Sequence, residues 1–206
     1  MVRHNRNRTR QDQQQPYDTL LKSLFEGQEE QIVPYFLEGA RYLATLNVEV
    51  IRNPLRVDRV YLILYRGEEH ILHIEFESGS NPTMASRLLD YHGYLHHKYQ
   101  KPVISIIVYP FETKMAESPF KEKSRGRDML IFYFDVLPLW KLKAKDYLND
   151  HAVIMYALLP TMHGANAELL LEAIDEMVQY YGEDSTKLGC ELLWMGFCCS
   201  VQTSCR

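Results

Sequence analysis

The stretch that decides the fold runs from residue 57 to 77: Val57-Asp58-Arg59-Val60-Tyr61-Leu62-Ile63-Leu64-Tyr65, then Arg66-Gly67-Glu68-Glu69, then His70-Ile71-Leu72-His73-Ile74-Glu75-Phe76-Glu77. The outer runs are dense in β-branched and aromatic residues and the centre carries turn chemistry, so the segment reads as a β-hairpin. It also holds acids where acids are out of place. Asp is disfavoured in strands and a carboxylate is rarely buried without a partner, so Asp58, Glu75 and Glu77 need a reason. A two-residue turn at Arg66-Gly67 sets Asp58 opposite Glu75, whereas a turn at Gly67-Glu68 sets it opposite Glu77. In both registers the three carboxylates share one face.

Working outward, Leu20, Leu21, Leu24 and Phe25 form an apolar stripe at helical spacing, with order expected from Tyr17 and a stop at Gly27. A second helical run takes in Ile32, Val33, Phe36, Leu37, Ala40, Tyr42 and Leu43, and Val48–Ile51 reads as a short strand closed by Asn53-Pro54. Downstream, Ser78-Gly79-Ser80-Asn81-Pro82 breaks the sheet, and a helix follows over Thr83–Tyr99. Val103–Tyr109 is then an unbroken apolar run of the kind found in a strand buried on both faces. The order is α-β-β-β-α-β. Beyond it come a polar loop, Glu112–Arg127, a strand at Leu130–Phe134, and helices around Tyr147–Leu159, Ala167–Tyr181 and Ser185–Phe197. The organisation expected is a disordered basic tail over 1–16, an α/β core over 17–160 and a helical extension over 161–206 that packs on the core.

The chain has 206 residues, of which 46% are hydrophobic and 24% charged, with net charge −4, so disorder throughout is excluded. The sign is uneven. Arg3, Arg6, Arg8 and Arg10 against Asp12 give residues 1–16 a charge of +3, leaving −7 on the other 190. No run approaches the ~18 apolar residues of a membrane span, and the N-terminus lacks the apolar stretch of a secretory signal, so a cytoplasmic protein with no membrane partner is expected. All four cysteines, Cys190, Cys198, Cys199 and Cys205, fall in the last 17 residues at a spacing that fits no zinc pattern; they read as reduced thiols.

Three carboxylates a few ångströms apart destabilise a sheet unless a cation or a proton intervenes. A divalent metal is the economical solution, and hard oxygen ligands favour Mg²⁺ or Mn²⁺ over zinc. Held by two or three carboxylates, such an ion keeps open positions for water and a phosphate oxygen, which is the chemistry of phosphodiester hydrolysis. The plainer alternative pairs Asp58 with Arg56 or Arg59 and leaves Glu75 and Glu77 in ordinary edge-strand salt bridges.

The same residues carry a family resemblance. Asp58 followed by Glu75-x-Glu77 within an α-β-β-β-α-β order resembles the PD-(D/E)XK nuclease core, a mixed sheet flanked by helices, here with a C-terminal helical extension. More narrowly, Tyr17-Asp18, Lys22, Phe25, Asp58, His73-Ile74-Glu75-Phe76-Glu77, Met84, Arg87-Leu88-Leu89, Tyr91, Pro102-Val103 and Val108-Tyr109 are similar to the Rpn/YhgA-like recombination-promoting nucleases and transposases. The resemblance spans Tyr17 to Trp194. It implies a Mg²⁺-dependent DNA endonuclease in which Asp58 and Glu75 bind the metal. Glu77 stands where the superfamily has lysine and the narrower family usually has glutamine; glutamate there can bind metal or act as a general base. Arg87 could reach the scissile phosphate, or else pair with Asp90. A homodimer suits an enzyme that cuts both strands. The departure at Glu77 also raises the alternative of an inactive nuclease-fold module that binds nucleic acid or protein.

Among the remaining candidates, Asp18 and Lys22 read as helix-surface charges, and His73 lies on the acid face, where a buried, satisfied histidine is the usual outcome. His92, His96 and His97 have near-helical spacing but lack a fourth ligand for zinc. Tyr91, Tyr94 and Tyr99 read as core or rim aromatics, and Lys121, Lys123, Arg125 and Arg127 as the internal segment best suited to phosphate. Proteins of the family that this chain resembles continue past Glu191-Leu192-Leu193-Trp194-Met195-Gly196 with a Leu- and Arg-rich helix, so the Cys-rich last ten residues are expected to come from a truncation or frameshift.

Overall fold

The chain upstream of the hairpin departs from its sequence pattern, and the reason is local. The computed structural model describes residues 24–46, 49–50 and 55–204. The basic tail, the expected helix start at Tyr17 with Asp18 and Lys22, and Cys205 lie outside those residues. Helix α1 (Glu29–Phe36) opens with Glu29 and Glu30, where the helix dipole favours negative charge, and buries Ile32, Val33 and Phe36. It does not continue to Leu43. Gly39, at φ +79°, turns the chain, and strand β1 (Ala40–Thr45) follows with Ala40, Tyr42 and Ala44 turned inward. The apolar spacing of this segment suits both periods, and the glycine decides between them. Strands β2 (Glu49–Val50) and β3 (Leu55–Arg56) pair as a separate ribbon, so the main sheet begins at β1, and Glu49–Val50, the described part of the strand expected at Val48–Ile51, belongs to the ribbon.

Strands β4 (Arg59–Tyr65) and β5 (Glu68–Phe76) form the antiparallel hairpin, with Tyr65 opposite Glu68 and Arg59 opposite Ile74. That is the Arg66-Gly67 register. Both turn residues have positive φ, 52° and 86°, as a two-residue type I′ turn requires. Helix α2 (Met84–Tyr99) ends at Gln100 in the left-handed conformation and leads into β6 (Val103–Tyr109), which lies parallel to β5. Strands β7 (Phe120–Ser124) and β8 (Arg127–Phe132) then make a second hairpin outside the main sheet, where a polar loop and a strand were expected. Strand β9 (Asp135–Pro138) returns to pair parallel with β6, giving the order β1-β4-β5-β6-β9.

The protein is thus an α/β fold with a mixed five-stranded sheet flanked by helices. On one face Leu72, Ile74 and Phe76 of β5 join the larger core. That core is closed by a 3₁₀ segment (Val153–Thr161) and by α4 (Ala167–Tyr181) and α5 (Ser185–Ser204), which follow the short helix α3 (Ala144–Asn149). The expected helix over Tyr147–Leu159 is interrupted because His151 takes φ 51°. Helix α4 has the predicted bounds, with the Asn166 side chain accepting from the Leu169 amide at 3.0 Å. Helix α5 runs past the predicted Phe197 and buries Trp194, Met195 and Cys198 in the same core as Met177 and Leu158. Burial pushes the Cys198 thiol up, in keeping with an inert side chain. Among the described residues no helix is long and apolar enough to cross a membrane.

Helix α2 covers the other face, where Met84 and Leu88 meet Ile107 and Tyr109, and Leu95 meets Val60 and Ile71. Each fully buried side chain of this size stabilises the fold by about 1.5–3 kcal/mol, so the face is held firmly. The alternation along β5 therefore aims the acids at α2.

Candidate active site

Asp58 and Glu75 are locked together through the backbone. The Asp58 amide donates to Glu75 Oε1 at 3.1 Å, and the Phe76 amide donates to Asp58 Oδ2 at 2.9 Å. This reciprocal clasp follows from the register, which puts the two residues opposite each other just beyond the last strand pair, Arg59–Ile74. Asp58 is half-buried, while Glu75 and Glu77 are buried, at 2% and 7% exposure. Strand β5 is the third of five, so the plainer expectation of edge-strand salt bridges for Glu75 and Glu77 does not hold. A carboxylate at this depth needs compensation.

Compensation comes from α2 and from β5 itself. Arg87 Nη2 lies 3.5 Å from Glu75 Oε2 and 3.6 Å from Glu77 Oε2, spacings of an ion pair and not of tight hydrogen bonds. Arg87 therefore takes Glu75 and Glu77 as its ionic partners in place of Asp90, and its third contact is Met84 Sδ at 3.0 Å. Glu77, one residue past β5, is tied down by the loop that follows. Asn81 Nδ2 donates to its Oε2 at 3.1 Å and the Gly79 amide approaches its Oε1 at 3.4 Å. Asn81 Oδ1 in turn accepts from the Thr83 amide and hydroxyl at 3.1 and 3.0 Å, which fixes the loop against the start of α2.

His73, two residues before Glu75 on the same face, is fully buried with Nε2 3.0 Å from Glu75 Oε1. Its ring meets Tyr91 edge-on at 5.4 Å. It is only half satisfied, since Nδ1 has no hydrogen-bond partner among the described residues. The Tyr91 phenol is pushed up to about 12 by burial first and by the Glu75 carboxylate second, against the opposing pull of Arg87. It stays protonated at neutral pH and can serve only as a neutral hydroxyl beside the acids.

A cavity of about 210 Å³ opens at this point, with Glu77, Ser78, Ser80, Asn81 and Arg87 in its walls. Arg87 joins the two parts of the site, since one side chain borders the cavity and also meets Glu75. The donor set is all carboxylate oxygen, which is the chemistry that Mg²⁺ and Mn²⁺ take. Among the described residues, however, no three His, Cys, Asp or Glu side chains converge in a cluster ready to hold an ion. The arrangement can bind an anion at Arg87, and Glu77 can accept a proton beside it.

The structure places Asp58, Glu75, Glu77 and Arg87 in one region, with His73, Asn81 and Tyr91 beside them. Asn81 was legible only as a loop-former, because its hydrogen bond to Glu77 depends on how the loop closes. His92 serves a different end, with Nδ1 3.1 Å from Ser105 Oγ, while His96 Nδ1 meets the Lys101 carbonyl at 3.0 Å. Tyr94 and Tyr99 lie under the Lys98 ammonium, at 5.8 and 5.2 Å. Lys121, Lys123, Arg125 and Arg127 sit on the second hairpin and not in a loop. A scan against protein-family models, a search of curated proteins and a search of solved structures each return no match.

Proposed function

We propose that the protein is a metal-dependent DNA endonuclease of the PD-(D/E)XK type, similar to the Rpn/YhgA-like recombination-promoting nucleases and transposases. The observation that carries this reading is the part-buried Asp58–Glu75 clasp with Arg87 bridging Glu75 to Glu77 at 3.5 and 3.6 Å beside an open cavity. Buried acids on a central strand are costly to the fold, and such strain is characteristic of functional sites. Asp58 and Glu75 would hold Mg²⁺ or Mn²⁺ with help from Glu77. When bound, the ion supplies a Lewis acid and a water of lowered pKa. The other roles belong to the chain. His73 fixes the Glu75 carboxylate through Nε2, and Asn81 fixes Glu77. Arg87 presents its guanidinium to a backbone phosphate and offsets charge as it develops. Glu77, in the cavity wall, takes the proton of the attacking water.

A second reading has its own support. Arg87 already lies against both glutamates, and the described side chains form no ready ion cluster, as in a module that keeps the fold to bind nucleic acid or protein without cutting. Plasmid nicking separates the two. The wild-type protein nicks supercoiled DNA with Mg²⁺ or Mn²⁺ and not with chelator. Asp58→Ala and the near-isosteric Glu75→Gln lower the rate by on the order of a hundredfold or more, with the far-UV circular dichroism unchanged. Equal trace activity in wild type and variants sinks the catalytic reading.

A further inference from the structure

The second hairpin is built to stay outside the core on one side only. Its inner face, Phe120, Leu130 and Phe132, packs with Met84 and Leu88 of α2. Its outer face is a different surface. Lys121 pairs opposite Ile131, so both project outward, and Lys123 and Tyr133 follow at the two-residue period. Ile131 and Tyr133 are 47% and 72% exposed, and Met129 at the bulge is 67% exposed. Arg125 and Gly126 form the tip, and Arg127 opens β8. Residues 120–132 thus hold four cations against Glu122 and Asp128, in a chain of net charge −4. The Lys123–Asp128 pair spans 3.7 Å between exposed groups and neutralises little.

The ribbon also borders the acids. A groove of about 510 Å³ runs past Lys114 and Lys121 and shares Ser80, Asn81 and Pro82 with the smaller cavity at Glu77 and Arg87. A polyanion lying along Lys121 and Lys114 is therefore led toward Arg87.

We propose that the β7–β8 ribbon is a duplex-DNA arm: Lys121, Lys123, Arg125 and Arg127 bind phosphates, with Ile131 and Tyr133 against the groove, while Lys114 guides one strand to the acidic site. The choice of DNA as partner rests on the endonuclease reading. The choice of duplex rests on shape. A two-stranded ribbon is of a size that the major groove, about 12 Å wide, admits. Single strands are held on platforms of several aromatic rings, whereas the outer face of the ribbon offers only Tyr133 among the described residues.

The test is fluorescence anisotropy of the full chain with a labelled duplex of about three helical turns, in chelator so that nothing is cut. The expected result is salt-dependent binding that Lys121→Gln/Lys123→Gln/Arg125→Gln/Arg127→Gln weakens at least tenfold. The quadruple variant also flattens the dependence of log K on log salt, by about 0.9 for each phosphate contact removed. Tyr133→Ser lowers affinity and leaves that slope alone. Unchanged affinity and slope in the quadruple variant would overturn the proposal. So would tighter binding to a single strand of equal charge, or binding to phosphatidylserine vesicles but not to duplex. The two readings fail separately. Ribbon-dependent binding by a protein that never nicks DNA removes the endonuclease and leaves the arm. Metal-dependent nicking that the quadruple variant performs undiminished removes the arm and leaves the endonuclease.

Discussion

The molecule contains two hairpins closed by the same dipeptide. Arg66-Gly67 joins β4 to β5 with φ 52° and 86°, and Arg125-Gly126 joins β7 to β8 with φ 52° and 72°. The turn chemistry is shared and the surroundings are opposite. The first hairpin lies between β1 and β6, buried on both sides, and carries acids; the second leans on α2 by one face and carries bases outward. A type I′ turn therefore sets register and nothing more. What each hairpin can do follows from where its charged side chains lie: in the first hairpin the exposed positions are confined to the turn, Arg66 to Glu69, and Glu75 and Glu77 are buried.

Truncation of matched apolar residues separates the two hairpins by the largest margin. Leu72 of β5 is fully buried, so Leu72→Ala leaves a cavity in the larger core and lowers stability by about 2–5 kcal/mol. Ile131 of β8, 47% exposed, loses little on truncation, and Ile131→Ala stays within about 0.5 kcal/mol. Urea midpoints with unchanged slope measure both, and equal losses would mean that the ribbon is not peripheral. The glycines give a finer cut. An added Cβ meets nothing within 4 Å at Gly67 or Gly126, so only the positive φ opposes alanine, at about 1 kcal/mol. Gly67→Ala should lower global stability by that amount. Gly126→Ala should raise amide hydrogen exchange across 120–132 and leave the global value nearly unchanged, because a peripheral ribbon opens on its own.

The difference between the hairpins also explains what the sequence could reveal. Val60 to Tyr65 is apolar throughout, and Ile71, Leu72, Ile74 and Phe76 place apolar residues on both faces of β5 because both are covered; that density marks strands without ambiguity, and the same holds for Val103–Tyr109. Lys121-Glu122-Lys123-Ser124 has no such density, since its outer face meets solvent and its inner contacts come from Phe120 alone, so it reads as loop. At the site, parity put His73, Glu75 and Glu77 on one face, and helical phase brought Arg87 near them. Parity does not say what compensates a buried acid. The roles of Asn81 and Arg87 as partners of Glu77 depend on the path of Ser78–Pro82, which no periodicity encodes.

The smallest effect is expected where the supports of the two hairpins meet. His92 on α2 contacts Ser105 of β6 through Nδ1 at 3.1 Å and the Phe132 ring of β8 at 4.9 Å between centroids. Burial holds its pKa below the usual 6.5, and the neighbouring His73 and His96 rings push the same way. The folded protein thus binds fewer protons at this residue than the unfolded chain does. Stability from this source is complete above the unfolded pKa and falls as the pH drops below 6.5 toward the lower folded value. His92→Gln keeps a polar group facing Ser105 and removes the titration. Urea midpoints at about pH 7.5 and about pH 5.5 should therefore differ less in the variant than in the wild type. An identical fall in both would place the acid sensitivity elsewhere, and would mean that α2 grips β6 and β8 without regard to the charge on this ring.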